Sequence, residues 1–278
     1  MSKRIVVGLD GSPYATHALE MAMRRATVYD GVVVGVAVID RPSIEQLAAG
    51  AQPGAFQMSD SAVSSLLNDA KEHAERLIAE FRNTCDMHEV LHEDIIYTGT
   101  PFEGLSQEGQ TADMIITGVR TFFHYPTREG PGDTLERLLK DPVCPVLAVP
   151  KDGDLPRNVV IAYDGSRGAA RALQAYAHVT PDIPDIYPVT LLCIAADYDK
   201  NKFHLEKAAQ FLEAHGIEAR IMLRTGKPID AIMQVMKELH PALIILGSPM
   251  HHGITERIFG STVASIIKDG SIPMFVFH

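Results

Sequence analysis

The chain has 278 residues, 46% hydrophobic and 22% charged, with a formal net charge of -10. That length suits two domains of average size, and the acidic balance argues against nucleic acid as a partner, because phosphate contacts need clustered Lys and Arg. No apolar run approaches a membrane span, and Gly8 and Asp10 cut the apolar start, unlike a secretory leader, so a cytoplasmic protein is expected.

In chain order, RIVVGL at 4–9 predicts a strand. Asp10-Gly11-Ser12 follows as turn and capping chemistry before a helix. Residues 40–60, DRPSIEQLAAGAQPGAFQMSD, read as a surface loop. TGTP at 98–101 introduces a helix, ADMIITG at 112–118 is an apolar strand, and GVRTFFHYPTREGPGDT carries the aromatic run Phe122 to Tyr125. GDTLERLLKDPVCPVLAV at 132–149 gives a further helix and strand, and KDGDLPR at 151–157 has the composition of a linker. Cys85, Cys144 and Cys193 lie far apart without a CxxC pair, which indicates no zinc ribbon and no disulfide framework.

Beyond the linker the chain repeats itself. NVVIAYDGS at 158–166 answers RIVVGLDGS at 4–12, TGKP at 225–228 answers TGTP, and ALIILG at 242–247 answers ADMIITG. GSTVASIIKDGSIPMFVF at 260–277 matches 132–149 with Gly, Thr, Lys-Asp and Pro in register. Four matches in one order identify a duplication, with domains at 1–150 and 157–278. The second copy predicts strands near 158–163, 189–194, 218–224, 242–246 and 273–277. Helices fall near 167–179, 201–215, 228–240 and 260–269, the second stopping at Gly216.

Strict alternation of strand and helix means right-handed crossovers and a parallel sheet. Each half is therefore expected to be an α/β doubly wound five-stranded layer with helices on both faces. Ligands bind beyond the carboxyl ends of such strands, where Asp164 and Gly247 fall. The run ALIILGSPMHHGITERIFGST at 242–262 outlines a phosphate cradle, small residues leading into a helix N-terminus. Residues 1–150 carry 12 basic against 21 acidic side chains and residues 151–278 carry 13 against 14, so a small polyanion is repelled less by the second half.

A strand ending in DGS, a TGxP before a helix, and a G-x2-G-x9-G-[ST] stretch after the fourth strand resemble universal stress proteins, here two in tandem. The resemblance covers nearly the whole chain. It implies a sheet order of 3-2-1-4-5, a cytosolic stress-induced protein, pairing through the last strands within the chain or in a homodimer, and ATP or ADP, with Mg as an option, in those members that bind nucleotide. On that pattern Asp164 lies against adenosine, and Ala162 and Ile194 line the base. Leu246, Gly247, Gly260, Ser261 and Thr262 belong to the phosphate stretch. Met250 stands where the middle glycine is expected, and Val263 where a second hydroxyl is usual. The first half departs further, with Thr121 for the middle glycine, Pro131 before Gly132, and Asp133 where Ser261 sits. An acid at a helix start takes the N–H groups a phosphate would use, so no nucleotide is expected in the first half.

Bland readings stand beside these. DGS is good turn chemistry by itself, Gly260 and Ser261 can be a helix cap, and His251, His252 and Arg257 read as exposed loop residues. Met233 and Met236 read as core. The leading function is a nucleotide-binding stress module. The alternatives are slow ATP hydrolysis, though no GxxxxGK[ST] motif is present, and a nucleotide-free module that binds a partner or lipid through residues 40–60 and the Phe122 to Tyr125 run.

Overall fold

The computed structural model describes residues 3–50, 58–153, 157–180, 188–195, 198–240, 242–247 and 261–277. Five successive buried residues make β1 (Arg4–Leu9) a strand covered on both faces, as a parallel sheet between helices requires. It is followed by α1 (Pro13–Tyr29), β2 (Val32–Ile39), α2 (Arg41–Ala48), α3 (Asp60–Met87), β3 (His92–Thr98), α4 (Pro101–Gly109), β4 (Met114–Gly118), α5 (Thr134–Lys140) and β5 (Val146–Val149). The second repeat comprises β6 (Asn158–Ala162), α6 (Arg167–Val179), β7 (Val189–Ile194), α7 (Tyr198–Ala214), β8 (Ala219–Arg224), α8 (Pro228–Glu238), β9 (Ala242–Gly247), α9 (Ser261–Asp269) and β10 (Met274–Phe277).

The chain divides into two compact units, Met1–Leu138 and Leu139–His278. Unit 1 orders its strands β3-β2-β1-β4, all parallel. In unit 2 the second repeat runs β8-β7-β6-β9-β10, again parallel, which is the expected order 3-2-1-4-5. The difference from two equal five-stranded sheets lies in β5. It belongs to unit 2 and runs antiparallel to β10, with Leu147 opposite Phe275.

The helix between β7 and β8 ends near its expected stop, with Gly216 at φ 73°. Met236 is buried, as a core residue should be. The expected loop at 40–60 is corrected in its first part: α2 forms there because Asp40 caps it, accepting from the Ser43 N–H at 3.2 Å, and Pro42 suits the first turn. Ile44 and Ala48, one turn apart, bury its inner face. Helix α3 then crosses back over β2, where Phe81 lies against Gly35. A methyl on Gly35 would meet the Phe81 ring at 2.8 Å. Gly35→Ala is accordingly expected to destabilise unit 1 by about 1–3 kcal/mol through overpacking, read as a lower urea midpoint. An unchanged midpoint would show that the ring has room to move.

Candidate functional site

Both repeats build the same turn at the end of their first strand. Asp10 Oδ1 accepts from the Ser12 N–H at 2.9 Å, and Ser12 Oγ accepts from the Ala15 N–H at 3.2 Å to cap α1. Asp164 and Ser166 repeat both bonds at the same distances, with Ala169 as the capped residue of α6. Gly11 and Gly165, at φ 74° and 80°, allow the left-handed turn between them. The capping reading of DGS thus holds in both copies and accounts for one carboxylate oxygen in each.

The second oxygen separates the repeats. Asp10 Oδ2 accepts the Phe122 N–H at 2.6 Å, and Asp10 is only 8% exposed. Burial pushes its carboxyl above the usual range despite the hydrogen bonds from Ser12 and Phe122. Asp164 is exposed, and its Oδ2 accepts no hydrogen bond among the described residues. Burial raises Tyr163 and Cys193, and the Asp164 charge raises both further.

Around Asp164, Ala162 and Ile194 end β6 and β7 half-buried. Gly247 ends β9 so close to the start of α6 that a Cβ there would overlap the Ala169 nitrogen and the Gly168 carbonyl carbon. This glycine is needed for the approach of helix to strand, whatever else it contacts. Leu246 and Val263 turn their side chains into the core, at 4% and 2% exposure, which leaves only their backbone for a ligand. Ser261 opens α9, and Thr262 is half-buried in its first turn. Met250 and Gly260, like His251, His252 and Arg257, lie outside the described residues.

In unit 1 the segment between β4 and α5 lies across the corresponding place. Phe123 is buried against Gly8, where a Cβ would meet its Cζ at 2.6 Å. The position matching Gly8 in the second repeat is Ala162. His124 Nδ1 lies 2.5 Å from Asp40 Oδ2 and 3.5 Å from Ser43 Oγ. Burial alone would raise the Asp40 carboxyl, but the bonds from His124 and Ser43 outweigh it and hold the group below its usual range. Tyr125 stacks on His73 of α3 at 4.3 Å between ring centres. The Gly132 N–H bonds the Thr121 carbonyl at 2.8 Å and closes the base of this strap.

Asp133 needs a correction. It is exposed, its carboxylate makes no hydrogen bond among the described residues, and the Arg137 N–H bonds its backbone carbonyl. The strap, through Phe122 to Tyr125, fills the place that reasoning from sequence assigned to the Asp133 side chain.

Two residues passed unnoticed in the sequence. His73 and His204 each lie beside the left-handed glycine of their repeat, within 4 Å of the position a Cβ on Gly11 or Gly165 would take. The signal was available: HAER at 73–76 and HLEK at 204–207 share H-x-E followed by a base, and in both helices the first and eighth residues after the histidine are buried. It is hidden by the unequal spacing that residues 40–60 introduce.

Comparison with known proteins agrees with this fold. The sequence profile of the Universal stress protein family matches residues 1–150 and 177–278. A universal stress protein of Synechocystis is 25% identical over 289 aligned positions, covering 99% of this chain and 100% of the relative. Among solved structures, a universal stress protein from Archaeoglobus fulgidus superposes with a TM-score of 0.70 at 20% identity, covering 99% of this chain and 98% of that one. A putative universal stress protein from Pseudomonas aeruginosa gives 0.55 at 17% identity, covering 99% and 93%. Matched by the profile in both repeats and aligned end to end with a curated relative, the chain belongs to the universal stress protein family.

Proposed function

We propose that this protein is a cytoplasmic tandem stress-response binding module whose second repeat, 157–278, holds ATP or ADP, while the first, 1–150, takes no nucleotide. The observation that carries this reading is the contrast between the paired aspartates. Asp164 stands exposed at the end of β6 with Oδ2 unoccupied by the described residues, whereas Asp10 is buried and both its oxygens are taken. An open carboxylate suits ribose hydroxyls as donors, and a helix start such as that of α9 suits phosphate, with Mg²⁺ as the natural counterion. Residues 247–262 contain no lysine to stabilise a leaving phosphate, which favours binding over turnover. The antiparallel pairing of β5 with β10 supports a last-strand contact inside one chain of the kind single-repeat members make between two.

Equilibrium dialysis with labelled ATP tests the assignment. Saturable binding below millimolar concentration is expected for the wild type, weakened about tenfold in Asp164→Ala, the scale of one lost charge-assisted hydrogen bond. Failure of the wild type to saturate at millimolar ATP overturns the proposal, as does undiminished binding by the variant.

A further inference from the structure

We infer that unit 1 contains a second, cryptic binding site, covered by the strap at 119–132, and that it takes an uncharged or cationic heteroaromatic base rather than an anion. The strap lies in the site as a ligand would. It presents an N–H to Asp10 Oδ2, a phenyl ring to the slot at Gly8, and an imidazole to Asp40 and Ser43. Both acceptors are nine-tenths buried carboxylates, Asp10 at 8% and Asp40 at 1% exposure, and each points an oxygen at a strap donor. Asp133, exposed and next to Gly132 at the base of the strap, adds a third acid, so a phosphate is disfavoured.

Three further observations say that the strap can be replaced. It contains no helix and no strand from 119 to 133, so releasing it breaks no regular element. One backbone bond, Gly132 N–H to the Thr121 carbonyl, closes its base. Thr121 Oγ1, on a residue 1% exposed, has no hydrogen-bond partner among the described residues, an unsatisfied buried hydroxyl that makes the closed state less favourable. The slot also depends on a missing methyl. Gly8 admits the Phe123 ring, which a Cβ there would meet at 2.6 Å, whereas the matching position of the second repeat, Ala162, carries a methyl.

Chemical rescue in the full chain tests the inference, with 4-phenylimidazole as the probe because it joins the two rings that the strap contributes. Phe123→Ala/His124→Ala empties the slot and removes the cost of opening it, so the probe should bind at least about tenfold tighter than to the wild type. Adding Asp40→Ala should abolish the gain, and phenyl phosphate, of similar size but anionic, should not bind. A folded double variant, judged by unchanged circular dichroism, that binds the probe no better than the wild type overturns the proposal. So does equal binding of phenyl phosphate.

Should the double variant fail to fold, Gly8→Ala serves instead. Its methyl should displace the ring and speed hydrogen exchange at the Phe122 amide about tenfold or more, with β1 and β2 amides unchanged. Unaltered exchange at Phe122 overturns the proposal. Because the probe carries no phosphate and the readouts lie in unit 1, failure here leaves the nucleotide reading of the second repeat standing, and the converse also holds.

Discussion

Asp40→Ala should destabilise unit 1 by about 2–4 kcal/mol, with protection lost first in α2. Two costs combine. The variant removes the side-chain cap of α2, a change of about 1 kcal/mol, and it leaves the His124 imidazole, which Asp40 meets at 2.5 Å, short of an acceptor in a mostly buried place, about 1–3 kcal/mol more. Urea unfolding gives the total, and hydrogen exchange at residues 41–48 and 122–125 gives its location. A loss below about 0.5 kcal/mol would show that Ser43 takes over the imidazole at no cost.

The pH dependence sharpens that result, because the two buried acids of unit 1 have opposite signs. Asp40 is held below its ordinary value of 3.8, so its ionised form stabilises the fold fully above that value and the contribution is lost as pH falls through the lower folded value. The penalty of Asp40→Ala should therefore shrink under strongly acid conditions. Asp10 is raised above 3.8 by burial, so its favourable contribution is present below that value and disappears as pH rises through the folded one. The strap is consequently fastened by the ionised form of Asp40, whereas burial works against the ionised form of Asp10 and the hydrogen bonds from Ser12 and Phe122 only partly offset it.

Gly247→Val is the second large effect, expected at about 3 kcal/mol or more. Overpacking in a core commonly costs 1–3 kcal/mol when side chains can adjust, but here the obstructing atoms are backbone, Ala169 N and the Gly168 carbonyl carbon, in the first turn of α6. To accommodate a side chain, α6 must move away from β9, and the Ser166 cap moves with it. Asp164 is fixed to that cap through the Ser166 N–H, so nucleotide binding should fall by more than the tenfold expected for Asp164→Ala. Thermal unfolding and the dialysis assay together check this. A variant that melts within about two degrees of the wild type and binds ATP equally well would show that the approach of helix to strand is not what fixes the carboxylate. Gly118 is held the same way in unit 1, against Tyr14 and the Arg120 carbonyl.

These residues mark how far the sequence could be read. The strands and helices of the second repeat lie within three residues of where apolar runs and breakers placed them, because β6, β7, β9 and β10 are buried on both faces and so announce themselves by composition, whereas β8, largely exposed, was placed by the elements around it. Asp164 and Gly247 could be singled out because they fall at strand ends. The strap was visible only as the letters FFHY. Its meaning depends on Gly8 and Asp40, more than eighty residues away, and no local pattern encodes a ring that fits beside an absent methyl. Helix α2 was missed for a related reason: its cap is the Asp that ends the preceding strand region, and a stretch holding Pro42, Gly50 and Pro53 reads as breakers when taken as composition.

The antiparallel contact of β5 with β10 has a consequence for handling the molecule in pieces. The repeat boundary near 157 invites excision of the second copy, but a fragment cut there lacks β5 and leaves β10, with Phe275 and Phe277, as a bare apolar edge ready to pair with any other extended chain. The first repeat therefore lends its final strand to shield the second from aggregation, and a soluble C-terminal fragment has to start ahead of Val146.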